Sequence, residues 1–154
     1  MKKILVVEDD VDIHLLIKDI LEKERYKVIS AYSGTEAILL IEKNDIDLIL
    51  LDLMLPGLLV EEIIKKVKNI PIIVISAKIS LEDKVNTLLS GANDYIVKPF
   101  EPKELLARIK VQLRMKNNKE NKELKYKDMF LDKMTQIYRI CVGNRIQIIR
   151  LKII

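Results

Sequence analysis

The sequence predicts an α/β fold: a doubly wound, five-stranded parallel sheet over residues 1–115, with a short antiparallel β segment at the carboxyl end. Three observations predict it. Five short runs rich in Ile, Leu and Val alternate with stretches whose apolar residues recur at helical spacing. Leu48 to Leu51 has no polar face, so it reads as a central strand buried on both sides. Polar side chains stand at the carboxyl ends of these runs, the edge where an open α/β sheet forms its ligand crevice.

Each element follows in order. Lys3 to Val7 reads as a buried first strand, and three acids (Glu8, Asp9 and Asp10) follow it at once. Asp10 or Asp12 can cap a helix whose apolar stripe is Ile13, Leu16, Ile17, Ile20 and Leu21. Tyr26 to Ser30 is the second strand, and Ser33-Gly34-Thr35-Glu36 opens a helix carrying Ala37, Ile38 and Ile41. Asp47 to Asp52 is the third strand, turned away by Pro56-Gly57. Leu58 to Lys68 has helical spacing, and Pro71 ends it and introduces a fourth strand, Ile72 to Ser76. Leu81 to Leu89 is a helix stopped by Gly91, and Asp94 to Val97 is the fifth strand. Pro102 suits the first turn of a last helix, Glu104 to about Met115, with Leu105, Leu106, Ile109 and Leu113 on one face. Five such alternations require right-handed crossovers and a parallel sheet with helices on both faces.

Beyond this domain, residues 116–123 are polar and read as a linker. Three short antiparallel strands are expected in 124–154, with stretches at Tyr126–Leu131 and Ile137–Val142 and a hairpin signal at Gly143-Asn144. A unit that small would need to pack on the first domain.

The 154 residues are 49% hydrophobic and 32% charged, enough for a core and for solubility. With no Trp, that core must rest on Ile, Leu and Val. A single cysteine, Cys141, cannot form an internal disulfide and suits a reducing cytoplasm. Met1 to Val7 mimics the start of a signal peptide, but Glu8-Asp9-Asp10 stops the apolar run short. No stretch reaches the roughly 18 apolar residues of a membrane span, so a soluble, cytoplasmic protein without a membrane contact is expected. The net charge of +4 is unevenly spread: residues 1–115 carry 17 Lys/Arg against 19 Asp/Glu, and residues 116–154 carry 10 against 4. A solvated surface and a contact with a polyanion both remain open for that basic segment.

The chemistry-bearing residues fall at strand ends. Glu8 and Asp9 follow the first strand, Asp52 ends the third, Ser76 ends the fourth and Lys98 follows the fifth. Adjacent parallel strands bring these groups to one crevice. Three carboxylates together repel unless a cation neutralises them, and a small hard cation such as Mg²⁺ meets that need. A carboxylate beside Mg²⁺, a lysine and a hydroxyl can accept a phosphoryl group, with Asp52 as the nucleophile. Taken singly, an acid at a strand end is a turn or cap and Lys98 is a surface lysine. Their order at the ends of four of the five strands is what the bland reading does not explain.

Ile4 to Asp10, Leu50 to Gly57, Ile75-Ser76-Ala77 and Asp94 to Phe100 resemble the receiver domain of two-component response regulators, a flavodoxin-like fold, in the OmpR/PhoB subfamily. The resemblance covers residues 1–115. It implies that Asp52 takes a phosphoryl group from a sensor histidine kinase. It further implies that Glu8, Asp9, Asp52 and the Met54 backbone carbonyl hold Mg²⁺. Ser76 and Lys98 would contact the phosphoryl oxygens, and Tyr95 would be the rotameric switch that turns inward as Ser76 moves. Phosphorylation would favour a homodimer, with Lys84 and Glu104, and Asp94 and Arg108, at the positions of the family's cross-dimer ion pairs.

Two departures stand out. Leu58-Leu59-Val60 replaces a polar residue and a glycine after Pro56-Gly57, which implies a differently shaped or strained loop and a shortened helix. Residues 124–154 resemble only the opening strands of the subfamily's winged-helix DNA-binding domain. With the recognition helix missing before Ile154, specific DNA binding by this chain is not expected. The apolar end, Ile148-Ile149 and Leu151 to Ile154, would then be an aggregation or dimerisation hazard.

The function that follows is a phosphorylation-controlled regulator of transcription with a truncated effector. The alternative is a receiver-only protein acting through protein contacts or as a phosphate sink. A Mg²⁺-dependent phosphatase of related topology would need a second aspartate where Met54 stands, so no enzyme with external substrates is expected. His14 reads as a solvated helix residue outside the site, and Cys141 as a packing residue.

Overall fold

Ten elements alternate in the first part of the chain, strand then helix. They are β1 (Lys3–Val7), α1 (Val11–Lys23), β2 (Lys27–Ala31), α2 (Gly34–Lys43), β3 (Leu48–Asp52), α3 (Val60–Lys66), β4 (Ile72–Ser76), α4 (Leu81–Leu89), β5 (Asp94–Val97) and α5 (Pro102–Asp128). The structure, a computed structural model, describes residues 1–55, 60–78, 80–128, 137–142 and 145–150, with side chains through residue 120. The chain divides into two compact units, Met1–Leu113 and Arg114–Ile154.

In the first unit the five strands form one sheet in the order β2-β1-β3-β4-β5, every pair parallel. The expected doubly wound fold is therefore present. Successive side chains of a strand point to opposite faces, and the two resulting cores are cleanly separated. Leu5 and Val7, Ile49 and Leu51, and Ile72 and Val74 pack with Ala37 of α2 and Val60, Ile63 and Ile64 of α3. Ile4 and Val6, Leu48 and Leu50, and Ile73 and Ile75 pack with Ile17, Ile20 and Leu21 of α1 and Leu105, Ile109 and Leu113 of α5. Burying one such side chain stabilises the fold by about 1.5–3 kcal/mol before chain entropy is counted. β3 and β4 are buried along their whole length, as a continuous apolar run in a central strand requires.

Local chemistry sets the element ends. Asp10 caps α1 by accepting from the Asp12 and Ile13 amides, Ser33 caps α2 and Ser80 caps α4. Gly91 follows α4 with φ +118°, and a Cβ there would lie 3.1 Å from Ile64 Cγ2, so only glycine fits both the backbone and the space.

Three expectations need correction. The last helix does not stop near Met115, because α5 continues to Asp128 and absorbs the predicted linker 116–123 and the start of the 124–154 segment. Lys and Glu are good helix formers, no Gly or Pro interrupts the stretch, and Lys116 pairs with Glu120 at 3.9 Å one turn on. Polarity alone therefore did not make it a loop. Residues Tyr126 to Asp128, expected to begin a strand, are helical, and the rest of that predicted strand lies outside the described residues. Val60, expected to strain its loop, opens α3 as a buried core residue. Positive φ among the described non-glycine residues occurs only at Arg25 and Asn69. Leu58 and Leu59 lie outside the described residues.

In the second unit, β6 (Ile137–Val142) and β7 (Arg145–Arg150) form a two-stranded antiparallel sheet in which Val142 pairs with Arg145. Gly143 and Asn144, where a hairpin turn was expected, lie outside the described residues.

Candidate functional site

The carboxyl ends of β1, β3, β4 and β5 meet at one edge of the sheet, and the predicted groups meet there. Asp52 is the last residue of β3 and is only 6% exposed. Glu8, one residue past β1, is 2% exposed, and Asp9 beside it is exposed. One carboxylate oxygen from each of Glu8, Asp9 and Asp52 falls within 4.8 Å of the others, a cluster that could hold a metal ion. An all-oxygen set of two buried acids and one exposed acid suits a hard cation that keeps part of its water shell.

Lys98 reaches into this cluster from the end of β5. Its Nζ donates to Glu8 Oε2 at 2.7 Å and to Asp52 Oδ2 at 3.3 Å. The Lys98 amide donates to the Ser76 carbonyl at 2.8 Å, which ties the ends of β4 and β5 together, and the Lys98–Pro99 peptide is cis. Burial pushes the Glu8 carboxyl above the usual glutamate range, opposed by the Lys98 and Asp10 hydrogen bonds and reinforced by Asp52. For Lys98, burial pulls downward, but the bond to Glu8 and the charge of Asp52 overcome it and leave the ammonium above its ordinary value. The pocket thus keeps its cation charged and resists carrying all its negative charges at once.

The remaining atoms of the acids are also engaged. Asp52 Oδ1 accepts from the Met54 amide at 3.0 Å, and Glu8 Oε1 accepts from the Asp10 amide at 3.1 Å. Met54 itself is 61% exposed, at the rim two residues beyond Asp52.

Ser76 is fully buried at the end of β4, and its Oγ accepts from the Lys78 amide at 3.1 Å. Tyr95 points inward, and its hydroxyl donates to the Lys78 carbonyl at 2.9 Å. One residue, Lys78, therefore contacts the Ser76 hydroxyl with its N–H and the Tyr95 hydroxyl with its C=O.

The residues predicted for a dimer face are brought together only in part. Arg108 grips Asp94 with Nη1 at 2.9 and 3.0 Å and reaches Glu104 through Nε at 3.1 Å, all within one chain. The hydrogen bond to Asp94 holds the Arg108 guanidinium above its usual value. Lys84 lies 5.9 Å over the Tyr95 ring, and the described contacts do not pair it with Glu104.

His14 is the residue that sequence reasoning misplaced. It is fully buried, with Nδ1 3.1 Å from the Glu8 carbonyl oxygen and its ring stacked on Tyr32 at 4.3 Å. A lone histidine next to Leu15 and Leu16, both half exposed, gives no signal of this. The only cue was its place six residues beyond Glu8, in the first turn of a helix that starts at the acids.

Comparison with known proteins agrees with the fold. The model of the response regulator receiver domain matches residues 4–110. The chain belongs to that family. It is 37% identical over 150 residues to the response regulator GtcR of Aneurinibacillus migulanus, covering 94% of this chain and 62% of that protein. It is 44% identical over 115 residues to the regulatory protein VanR of Enterococcus faecium, covering 73% of this chain and 50% of that one. The crystal structure of a CheY-like receiver domain protein from Methanospirillum hungatei JF-1 superposes with a TM-score of 0.73 at 35% identity, covering 77% of this chain and 98% of that one. The chain spans roughly half to three-fifths of the length of the two curated relatives. Among the described residues, no helix is long and apolar enough to cross a membrane.

Proposed function

We propose that this chain is a phosphorylation-controlled response regulator in which Asp52 accepts a phosphoryl group from a sensor histidine kinase. The observation that carries the reading is the position of Asp52: buried at a strand end, one oxygen on Lys98, with Glu8 and Asp9 completing an acidic cluster. An Asp52 oxygen attacks phosphorus, forming the acyl phosphate. The bond from phosphorus to the donor imidazole breaks, its electron pair stays on that nitrogen, and solvent supplies the proton. Lys98 pairs with the incoming phosphoryl oxygens, and Ser76 turns its hydroxyl toward them.

Glu8, Asp9 and Asp52, with the Met54 carbonyl, would hold Mg²⁺. When bound, the ion offsets charge on the acids and on the transferring oxygens. The chain then catalyses only its own phosphorylation and dephosphorylation, because Met54 occupies the place from which a second acid would serve an external substrate. Tyr95 would act as the switch, coupled to Ser76 through Lys78, and would alter the face carrying Lys84, Asp94, Glu104 and Arg108. A homodimer follows, in which exposed ion pairs set orientation more than affinity.

Membership in the OmpR/PhoB subfamily, and hence a role in transcription, is supported by the alignment to GtcR. That alignment runs 150 residues, past the receiver and into the second unit. On that reading residues 1–115 are the receiver and 124–154 the opening of an effector, joined by helical rather than irregular residues. The second reading is a receiver-only signalling protein, and the self-contained core of Met1–Leu113 favours it. Specific DNA retention by the full chain would select the first reading, and nonspecific or absent retention the second.

Light scattering tests the switch. A monomer that becomes a dimer only with both Mg²⁺ and beryllium fluoride, a phosphoryl mimic, is the expected result. An unchanged mass would reject the coupling of pocket to dimer face.

A further inference from the structure

We propose that His14 is a positioning residue for the cation pocket, fixing the Glu8–Asp9 peptide through a hydrogen bond from Nδ1–H. The inference rests on the reading of Glu8, Asp9 and Asp52 as a Mg²⁺ site.

The argument starts from what Glu8 is bonded to. Its amide donates to the Ala31 carbonyl at 3.1 Å, its Oε1 takes the Asp10 amide and its Oε2 takes Lys98. Its carbonyl oxygen faces His14 Nδ1 at 3.1 Å. A carbonyl can only accept, so Nδ1 must carry the hydrogen. That carbonyl belongs to the peptide joining Glu8 to Asp9. Its plane is rigid, and holding the oxygen fixes the direction in which the next residue leaves. Asp9 is the exposed member of the acid cluster, and among the described contacts no other side chain reaches this peptide oxygen.

The ring is itself held. It is fully buried and stacks on Tyr32 with an interplanar angle of 19°. The Tyr32 amide in turn donates to Glu36 Oε2 at 2.9 Å, which anchors it to the first turn of α2. The other ring nitrogen, Nε2, is buried with no hydrogen-bond partner among the described groups. A buried histidine that leaves one nitrogen unpaired incurs a cost that an apolar residue of similar shape would avoid. Pure packing is therefore a poor account of His14, and the bond to Glu8 gives it a role. Groups that orient metal-binding residues from outside the ligand shell commonly change affinity by about tenfold or more when removed.

The test uses the full chain and Mg²⁺ alone, with affinity read by titration calorimetry and stability by thermal melting without metal. His14→Phe keeps the flat ring on Tyr32 but removes the donor. His14→Asn loses the stack but places an amide N–H near the position of Nδ1. The expected result is that His14→Phe weakens Mg²⁺ binding about tenfold while His14→Asn retains most of it, whichever variant melts lower. Affinity that follows melting temperature instead of the donor, or that neither variant changes, overturns the positioning role. In the wild type, long-range ¹H–¹⁵N spectra should show the ring proton on Nδ1, and the opposite tautomer also overturns it. A wild-type chain that takes up no Mg²⁺ rejects the cation reading itself, and the positioning role falls with it.

Discussion

Lys98 is the residue on which the electrostatics of the pocket turn. It sits between two buried carboxylates, 2.7 Å from Glu8 and 3.3 Å from Asp52, and no other described cation contacts either. Lys98→Met leaves both acids unneutralised, and removing one partner of a buried ion pair is more damaging than replacing both. The expected loss is about 3 kcal/mol in urea unfolding without Mg²⁺. A change smaller than about 0.5 kcal/mol, the size typical of a neutral surface substitution, would contradict the assignment. The same geometry sets a pH limit. Lys98 is raised in the folded state, so its contribution is complete below the ordinary value of 10.5 and disappears as pH rises through the folded value.

Glu8 follows the same sign at lower pH, because its folded value is raised as well. Folding favours its protonated form, so its contribution to stability is full below the ordinary 4.5 and is lost as pH rises through the folded value. Mg²⁺ and a proton thus compete for Glu8. The rise in melting temperature given by Mg²⁺ should therefore shrink as pH falls from neutrality toward 4.5, measured across a pH series with Mg²⁺ saturating at pH 7. A rise that stays constant or grows would show that Glu8 is not protonated in this window. His14 belongs to this scale too. Helical periodicity marked its neighbours as apolar and itself as polar, and periodicity cannot register a polar side chain turned inward to a backbone carbonyl.

At the scale of elements, the strands were the most legible part. β1, β3, β4 and β5 form where short apolar runs stand between polar ends, and β2 begins one residue later than expected, at Lys27. The helices were legible where they face the sheet and less so where they do not. α5 shows both halves of that rule. Leu105, Ile109 and Leu113 announce its packed part. From Lys116 onward no buried apolar stripe marks it, and only the helix propensity of Lys and Glu, with no glycine or proline to stop it, predicts its continuation.

α4 is the loosest helix of the first unit. Thr87 is its single buried residue, while Leu81, Val85, Leu88 and Leu89 are exposed. With so little apolar contact, its amides should exchange with solvent faster than those of α5 between Leu105 and Leu113 under native conditions. Equal protection in hydrogen-exchange mass spectrometry would contradict this. A loosely held helix beside Tyr95 is also the element that a switch could move at small cost, and Lys84 of α4 already rests over that ring.

For the whole molecule, β3, the run that lacks a polar face, stands at the centre of the sheet as expected. The site was then legible because a parallel sheet sends all its carboxyl ends to one edge. Glu8, Asp9, Asp52, Ser76 and Lys98 needed no knowledge of side-chain packing to be placed there. The exact partners did: that Lys98 favours Glu8 over Asp52, or that Lys78 bridges Ser76 to Tyr95, depends on backbone geometry that spacing does not carry. Residues beyond Leu113 belong to a separate unit, and GtcR, whose alignment extends into them, is a longer protein.

The central claim is that Asp52 is the phosphoacceptor, and intact mass spectrometry tests it most directly. The full chain would be incubated with Mg²⁺ and a small acyl phosphate donor, alongside Asp52→Asn. The account predicts the added mass of one phosphoryl group on the wild type, lost with chelator and absent from the variant. No addition to the wild type, or the same addition to Asp52→Asn, would contradict it.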